Sequence, residues 1–455
     1  MKNIFFTAPV LLGTTAAIAA PDKTDSKPNV VIVLIDDMGY ECIGAYGGTY
    51  NTPNIDRFAA QGIKFNYAYA QPLSTPSRVE LMTGRYNHKN YVEFGFMNQD
   101  QKTFGNLAQM AGYVTGIAGK WQLGFNSKLP THFGFDSHCL WQLSYQKNPN
   151  GERYANPLLE ENGKVVERDT EMYGPDRQAD FVDRFIETNK EKPFLLYYPM
   201  TLVHDPFVTT PLSHDWASNP ERYKGNNKYF ADMMEYCDRL TGRLVDKLKK
   251  EGLYDNTLII LTADNGTNVR IVSKMKDGSS IRGGKGTTTD AGTHVAFIAT
   301  YGSRQGTSRT CDDLIDLVDV LPTVAQAMGI KIPKEWDTDG VSFLPQVMGK
   351  MGTPRKWVFC HYDNFFQGWN KPDPNAKRYI RNHRYKLYST GEFYDIQEDI
   401  LEKTSISKGQ GNAEAEKARR FLFSELTKFP AWKVGDIPVQ KVTSPGLESM
   451  PMKWD

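Results

Sequence analysis

The stretch Pro28-Asn29-Val30-Val31-Ile32-Val33-Leu34-Ile35-Asp36-Asp37 constrains the chain more than any other. From Val30 to Ile35 no polar residue alternates with the apolar ones, so neither face of a strand built from it can meet water. Such a run is the habit of a parallel sheet covered on both sides. Functional groups in such sheets gather beyond the carboxyl ends of the strands. Asp36 and Asp37 stand there. The pattern returns at Thr257–Ala263, followed by Asp264-Asn265-Gly266. It returns again within 192–200, which leads to His204-Asp205-Pro206-Phe207.

Helical spacing predicts helices over 103–111, 174–189, 229–251 and 312–328, the last kinked or restarted at Pro322. Strands alternating with helices predict an α/β domain with a doubly wound, mostly parallel sheet over 21–350. The pattern breaks around Lys350–Arg355. Beyond it, short strands at 357–362, 379–381 and 385–389 and a polar helix near 413–428 predict a smaller C-terminal α+β subdomain over 351–455.

Composition excludes several classes. With 54 Lys plus Arg against 53 Asp plus Glu, there is no basic excess to hold nucleic acid or an anionic membrane surface. Aromatic residues at 12% exclude a disordered chain. Residues 1–20 run from Lys2 through an apolar stretch to Ala17-Ile18-Ala19-Ala20, the order of a secretory signal peptide. The expectation is a periplasmic or secreted protein. No later stretch is long and apolar enough to span a bilayer. The five cysteines lie far apart, and an odd count leaves at least one thiol free.

Three carboxylates and an amide (Asp36, Asp37, Asp264 and Asn265) on strand ends of one sheet would suit a hard divalent cation. No Cys or His spacing points to zinc. The segment Pro72-Leu73-Ser74-Thr75-Pro76-Ser77-Arg78, continued by Leu81-Met82-Thr83-Gly84-Arg85, starts a helix whose N-terminus can aid anion binding.

That segment resembles the sulfatase signature, Cys/Ser-x-Pro-Ser-Arg followed by Leu-x-Thr-Gly-Arg. Other landmarks follow in the order of that family. They are Asn54-Ile55-Asp56, Gly119-Lys120-Trp121-Gln122-Leu123-Gly124, His204-Asp205-Pro206-Phe207, Asp264-Asn265-Gly266, Gly284-Lys285-Gly286, Asp339-Gly340 and Tyr394-Asp395. The resemblance spans roughly residues 28–400 and implies an alkaline-phosphatase-like fold. It implies calcium, in preference to magnesium, at Asp36, Asp37, Asp264 and Asn265. It implies a formylglycine made from Ser74 by a maturing enzyme, touching the metal. Arg78, Lys120 and Lys285 would hold the sulfate and the aldehyde hydrate, and His204 would protonate the leaving group. One geminal hydroxyl of the hydrate attacks sulfur, and the other releases free sulfate as the hemiacetal collapses.

Two positions depart from the pattern. Gln122 stands where the family's Gly-Lys-Trp-His-Leu-Gly has its histidine, and an amide cannot act as a base. His294, in Thr289-Asp290-Ala291-Gly292-Thr293-His294, stands where the family often has an arginine. Both are taken as substrate-binding candidates, His294 equally as a buried hydrogen-bonded histidine. A serine at position 74 fits an anaerobic maturation system or a deliberate replacement of cysteine. The expected activity is hydrolysis of a sulfate ester on a sulfated sugar or glycan. The alternatives are a phosphodiesterase or phosphonate hydrolase of the same superfamily, and a non-catalytic binder of sulfated glycans if Ser74 is unmodified. His88, Trp141, Trp369 and Arg378 are candidates by residue type for contacts to the sugar.

Overall fold

A computed structural model describes residues 27–143, 153–169, 171–217, 222–307, 309–364, 373, 375–436 and 439–449. The expected signal segment 1–20 and Trp369 lie outside the described residues. Twelve strands precede the C-terminal part: β1 (Asn29–Ile35), β2 (Ile63–Tyr69), β3 (Val114–Lys120), β4 (Ser137–Trp141), β5 (Leu159–Glu161), β6 (Lys164–Val165), β7 (Phe194–Pro199), β8 (Thr257–Ala263), β9 (Val272–Lys274), β10 (Ser280–Arg282), β11 (His294–Thr300) and β12 (Thr310–Asp316). Ten of them form one sheet in the order β12-β2-β11-β8-β1-β7-β3-β4-β5-β6, while β9 and β10 pair apart from it.

The middle of the sheet, β8-β1-β7-β3-β4, is parallel throughout. Every residue of β1, β7 and β8 is buried, as their unbroken apolar runs require. Strand β11 runs antiparallel to both β8 and β2, so the sheet is mixed at its β12 end. Helices Pro53–Gln61, Gly174–Asn189 and Phe230–Lys250 pack together in one group, and Ser74–Thr83, Phe104–Met110 and Val320–Met328 in another. Together they cover the middle of the sheet, where β1, β7 and β8 have no exposed residue.

The helix expected over 312–328 forms only over Val320–Met328. Thr310–Asp316 is instead β12, parallel to β2, with Leu314 opposite Tyr67 and Ile315 opposite Ala68. Sheet pairing wins because it satisfies the backbone while burying Leu314 and Ile315. Asp316 then caps a short turn at Leu317–Asp319, and Pro322 falls in the first turn of the helix, where its missing N–H has no partner to lose.

Past residue 350, four antiparallel strands form a second sheet: β13 (Val358–Tyr362), β14 (Lys377–Arg381), β15 (Tyr385–Tyr388) and β16 (Phe393–Asp395). Helix Ala413–Leu426 packs on β14 and β15 through Ile380, Tyr385, Leu387, Ala415 and Leu422. The last described segment returns to the large domain, where Val442 and Gln440 bond to Asn98. All five cysteines are described and none is in a disulfide. No helix among the described residues is long and apolar enough to cross a membrane.

Gly119, the penultimate residue of β3, has φ +127°, and a Cβ there would stand 1.8 Å from the Pro199 carbonyl oxygen of β7. Backbone atoms at a sheet centre cannot yield. Gly119→Ala should therefore cost about 2–4 kcal/mol. Gly278→Ala, also at positive φ but with nothing within reach, should cost about 1 kcal/mol. Denaturant unfolding of the two variants compares them directly; equal losses would mean the close approach at Gly119 is relieved by backbone movement.

Candidate active site

Parallel strands stand about 4.8 Å apart, so residues at the carboxyl ends of neighbours meet without long reaches. The ends of β8, β1, β7 and β3 carry Asp264-Asn265, Asp36-Asp37, the 201–204 segment and Lys120 in that order. Backbone bonds continue past the strands to tie these ends together. Asp36 N donates to Leu202 O at 2.8 Å, Val203 N to Asp36 O at 2.7 Å, and Asp264 N to Ile35 O at 3.1 Å. Asp37 adopts a left-handed φ of 63° and its N–H donates to Asp264 Oδ1 at 3.1 Å.

Ser74 begins the Ser74–Thr83 helix, all of whose residues are buried. Its Oγ lies 2.9 Å from Asp36 Oδ1 and 2.5 Å from Asp264 Oδ2, and accepts from Lys120 Nζ at 2.9 Å. Lys120 also donates to both oxygens of Asp36, at 3.0 and 2.9 Å. Lys285 reaches in from the other side, donating to Asp37 Oδ2 at 2.6 Å and to His204 Nε2 at 2.8 Å. Its loop is pinned by Lys285 N to Thr267 O and Gly286 N to Pro72 O. The ring of His204 has Nδ1 2.5 Å from Asp205 O, a carbonyl that can only accept. The proton of the ring is therefore on Nδ1, and Nε2 accepts from Lys285.

The charges are unevenly balanced. Burial pushes Asp36 upward, but Lys120, His204, Arg153 and Lys285 hold it well below the usual carboxylate range. Burial raises Asp37 against the pull of Lys285. Burial, then the charge of Asp36, raises Asp264 to about 7. Lys120 is pushed down to about 8 by burial despite Asp36. Burial, with Arg153 and Lys285, holds His204 well below its usual value.

The donors fit a hard divalent cation. Asn265 Nδ2 donates to Asp37 Oδ1 and to Gly266 O, both at 2.9 Å, while its Oδ1 is buried with no hydrogen-bond partner. An orphaned carbonyl oxygen beside three carboxylates is the donor set such an ion takes. Ligand atoms of Asp36, Asp37 and His204 also lie within 4.8 Å of one another, but the His204 ring is already committed to Asp205 and Lys285.

Arg78 is buried and turned toward backbone, its guanidinium donating to the carbonyls of Lys120 and Trp121. It braces the turn that carries Lys120. Gln122 follows at a left-handed φ of 46°, buried, with Oε1 unpartnered. A non-glycine residue in that region is strained, and such strain collects at functional sites. His294 has both ring nitrogens against acceptors, Asp290 Oδ2 at 3.0 Å and Asn66 O at 2.9 Å, and its ring lies against Tyr40. No hydrogen bond joins it to the Ser74 cluster among the described residues.

Arg153 belongs to the cluster although no sequence motif marked it. Its Nη1 lies 3.3 Å from Asp36 Oδ2, and its guanidinium stacks 4.3 Å from the Trp141 ring. The available signal was Trp141, the last residue of β4, in register with Lys120 at the end of β3. The chain after β4 thus opens on the same sheet edge as the acids. His88 and Arg378 lie elsewhere, around His361 and Phe359 of β13.

A family model described as Sulfatase matches residues 28–330. Arylsulfatase G of Rattus norvegicus is 28% identical over 451 residues, spanning 84% of this chain and 83% of that protein. Arylsulfatase A of Bos taurus is 29% identical over 380 residues, spanning 76% and 73%. A solved structure of Ps i-CgsB in complex with k-i-k-neocarrahexaose is 27% identical, with a TM-score of 0.70 over 89% of this chain and 92% of that one. The matched span runs from the start of β1 past the end of the Val320–Met328 helix and takes in the whole acidic cluster, and the chain belongs to the sulfatases, hydrolases of sulfuric esters.

Proposed function

We propose that this sulfatase hydrolyses a sulfate ester on a sulfated carbohydrate, outside the cytoplasm, with formylglycine at position 74 and calcium as its ion. The observation that carries the reading is the Ser74 hydroxyl held at once by Asp36, Asp264 and Lys120. A hydroxyl held by three charged partners is positioned and polarised for nucleophilic attack. A glycan substrate is supported by the oligosaccharide complex of the similar Ps i-CgsB, and export by the leader-like residues 1–20.

The all-oxygen set of Asp36, Asp37, Asp264 and Asn265 would hold calcium, which when bound supplies positive charge beside the reacting sulfuryl oxygens. Formylglycine in place of Ser74 would supply a hydrated aldehyde as nucleophile. Lys120 keeps the reactive oxygen in place and offsets the charge it gains. Lys285 faces the sulfate from the opposite wall, and Arg78 keeps the Lys120 turn rigid. His204 Nε2 shares a proton with Lys285 Nζ, next to where a leaving alkoxide must be protonated. Burial disfavours the charged imidazole, and an entering anion reverses that preference.

Four outcomes follow from these roles. Chelation should abolish turnover and lower the melting temperature, because a bound ion stabilises only the folded chain. Asp264→Ala should lose the ion, read by elemental analysis, and unchanged metal content would remove Asp264 from the site. Ser74 in active protein should be lighter in intact mass by two hydrogens, and Ser74→Ala should be inactive; an unconverted serine in inactive protein would favour a glycan binder. Finally, His204→Ala should cut hydrolysis of a sugar sulfate by about 10²–10⁴-fold and that of an aryl sulfate far less, since a nitrophenolate leaves unprotonated. Equal losses would assign His204 to sulfate binding instead.

A further inference from the structure

Three cations, Lys120, Lys285 and Arg153, stand among the three carboxylates Asp36, Asp37 and Asp264. Lys120 already bonds both oxygens of Asp36, and Arg153 is a second cation on that acid. Its position is closely determined. The guanidinium lies over Trp141, which fixes its plane. It bonds to the side chain of Tyr154, whose hydroxyl lies 2.9 Å from Thr201 O and also against the carbonyl of His204, sharing its one proton between them. Arg153 is thus tied to the end of β4 on one side and to the His204 turn on the other, with Asp36 between them. A guanidinium carries five N–H donors in a planar fork, more than the contacts with Asp36 and Tyr154 use.

Gln122, two residues past the end of β3, carries no ionisable group where the family pattern has a histidine. Arg153, buried to all but 7%, brings a permanent positive charge to the same end of the sheet. We propose that Arg153 binds the scissile sulfate itself, one N–H to a sulfate oxygen. The proposal rests on the sulfate-ester reading above and adds a substrate-contacting residue to it.

Guanidinium–oxyanion bonds are strong because both partners are charged. Arg153→Met should weaken binding of inorganic sulfate to the metal-loaded protein by about 10- to 100-fold in calorimetric titration. Metal content should not change. With converted protein, kcat/KM should fall alike on an aryl sulfate and on a sugar sulfate, because the bound group is common to both. Wild-type protein that binds no sulfate would bring down the underlying reading as well. Sulfate affinity equal in wild type and variant would bring down the Arg153 assignment alone. Loss of metal together with sulfate would mean that Arg153 serves Asp36. A loss confined to the sugar substrate would mean that it touches the sugar, and either result overturns the proposal. Should the methionine variant fail to fold, Arg153→Gln in the same titration decides.

Discussion

Asp36, Asp37 and Asp264 lie almost wholly out of water at the end of an apolar sheet, and the rest of the structure answers to that burial. An unpaired buried carboxylate costs several kcal/mol, and like charges add to the cost. Lys120, Lys285 and Arg153 offset it, but unequally. Asp36 takes Lys120 and Arg153 and stays ionised far below the ordinary range, whereas Asp37 and Asp264 are pushed upward. Beside Asp37, to which Asn265 Nδ2 donates, Asn265 Oδ1 is buried without a partner. An ion of charge two satisfies both deficits, which is why the metal reading rests on electrostatics as much as on residue type.

The small C-terminal sheet has a part in the same geometry. Leu73, immediately before Ser74, packs against Cys360, Tyr362, Tyr379 and Tyr388. Cys360 Sγ donates to Gln71 Oε1 at 3.0 Å, and Thr288 Oγ1 meets Tyr388 Oη at 3.0 Å. The segments that carry Ser74 and Lys285 thus rest on one antiparallel sheet, whose strands hold them in fixed relation. The Asp290 carboxylate bridges His294 and Arg381 across this joint. That placement accounts for His294 as a fastening between the two sheets.

Much of this was legible in the chain because it is local. The strands β1, β7 and β8 announce themselves by unbroken apolar runs, and the acids directly follow two of them. Short-range signals fail where pairing decides. Asp312-Asp313-Leu314-Ile315 reads as the start of a helix, and only β2 lying alongside makes it a strand. Strand β3 contains Gly116 and Gly119, poor strand formers, yet pairs with both β7 and β4, and its close approach to β7 is what requires glycine at 119.

The sequence by itself determined most of the cluster: the two acids after β1, the Asp264-Asn265 pair after β8, Ser74 before its helix, and Lys120, His204 and Lys285 in their turns. Each is readable because its neighbours in sequence form a pattern. The tertiary structure alone decided the sheet order β8-β1-β7-β3-β4, which lines those residues along one edge. It alone decided that Arg78 faces backbone, that His204 leans on Lys285, and that Arg153 joins the site. Strand order is set by which buried faces pack together, and a lone arginine acquires meaning only from the charges folded around it.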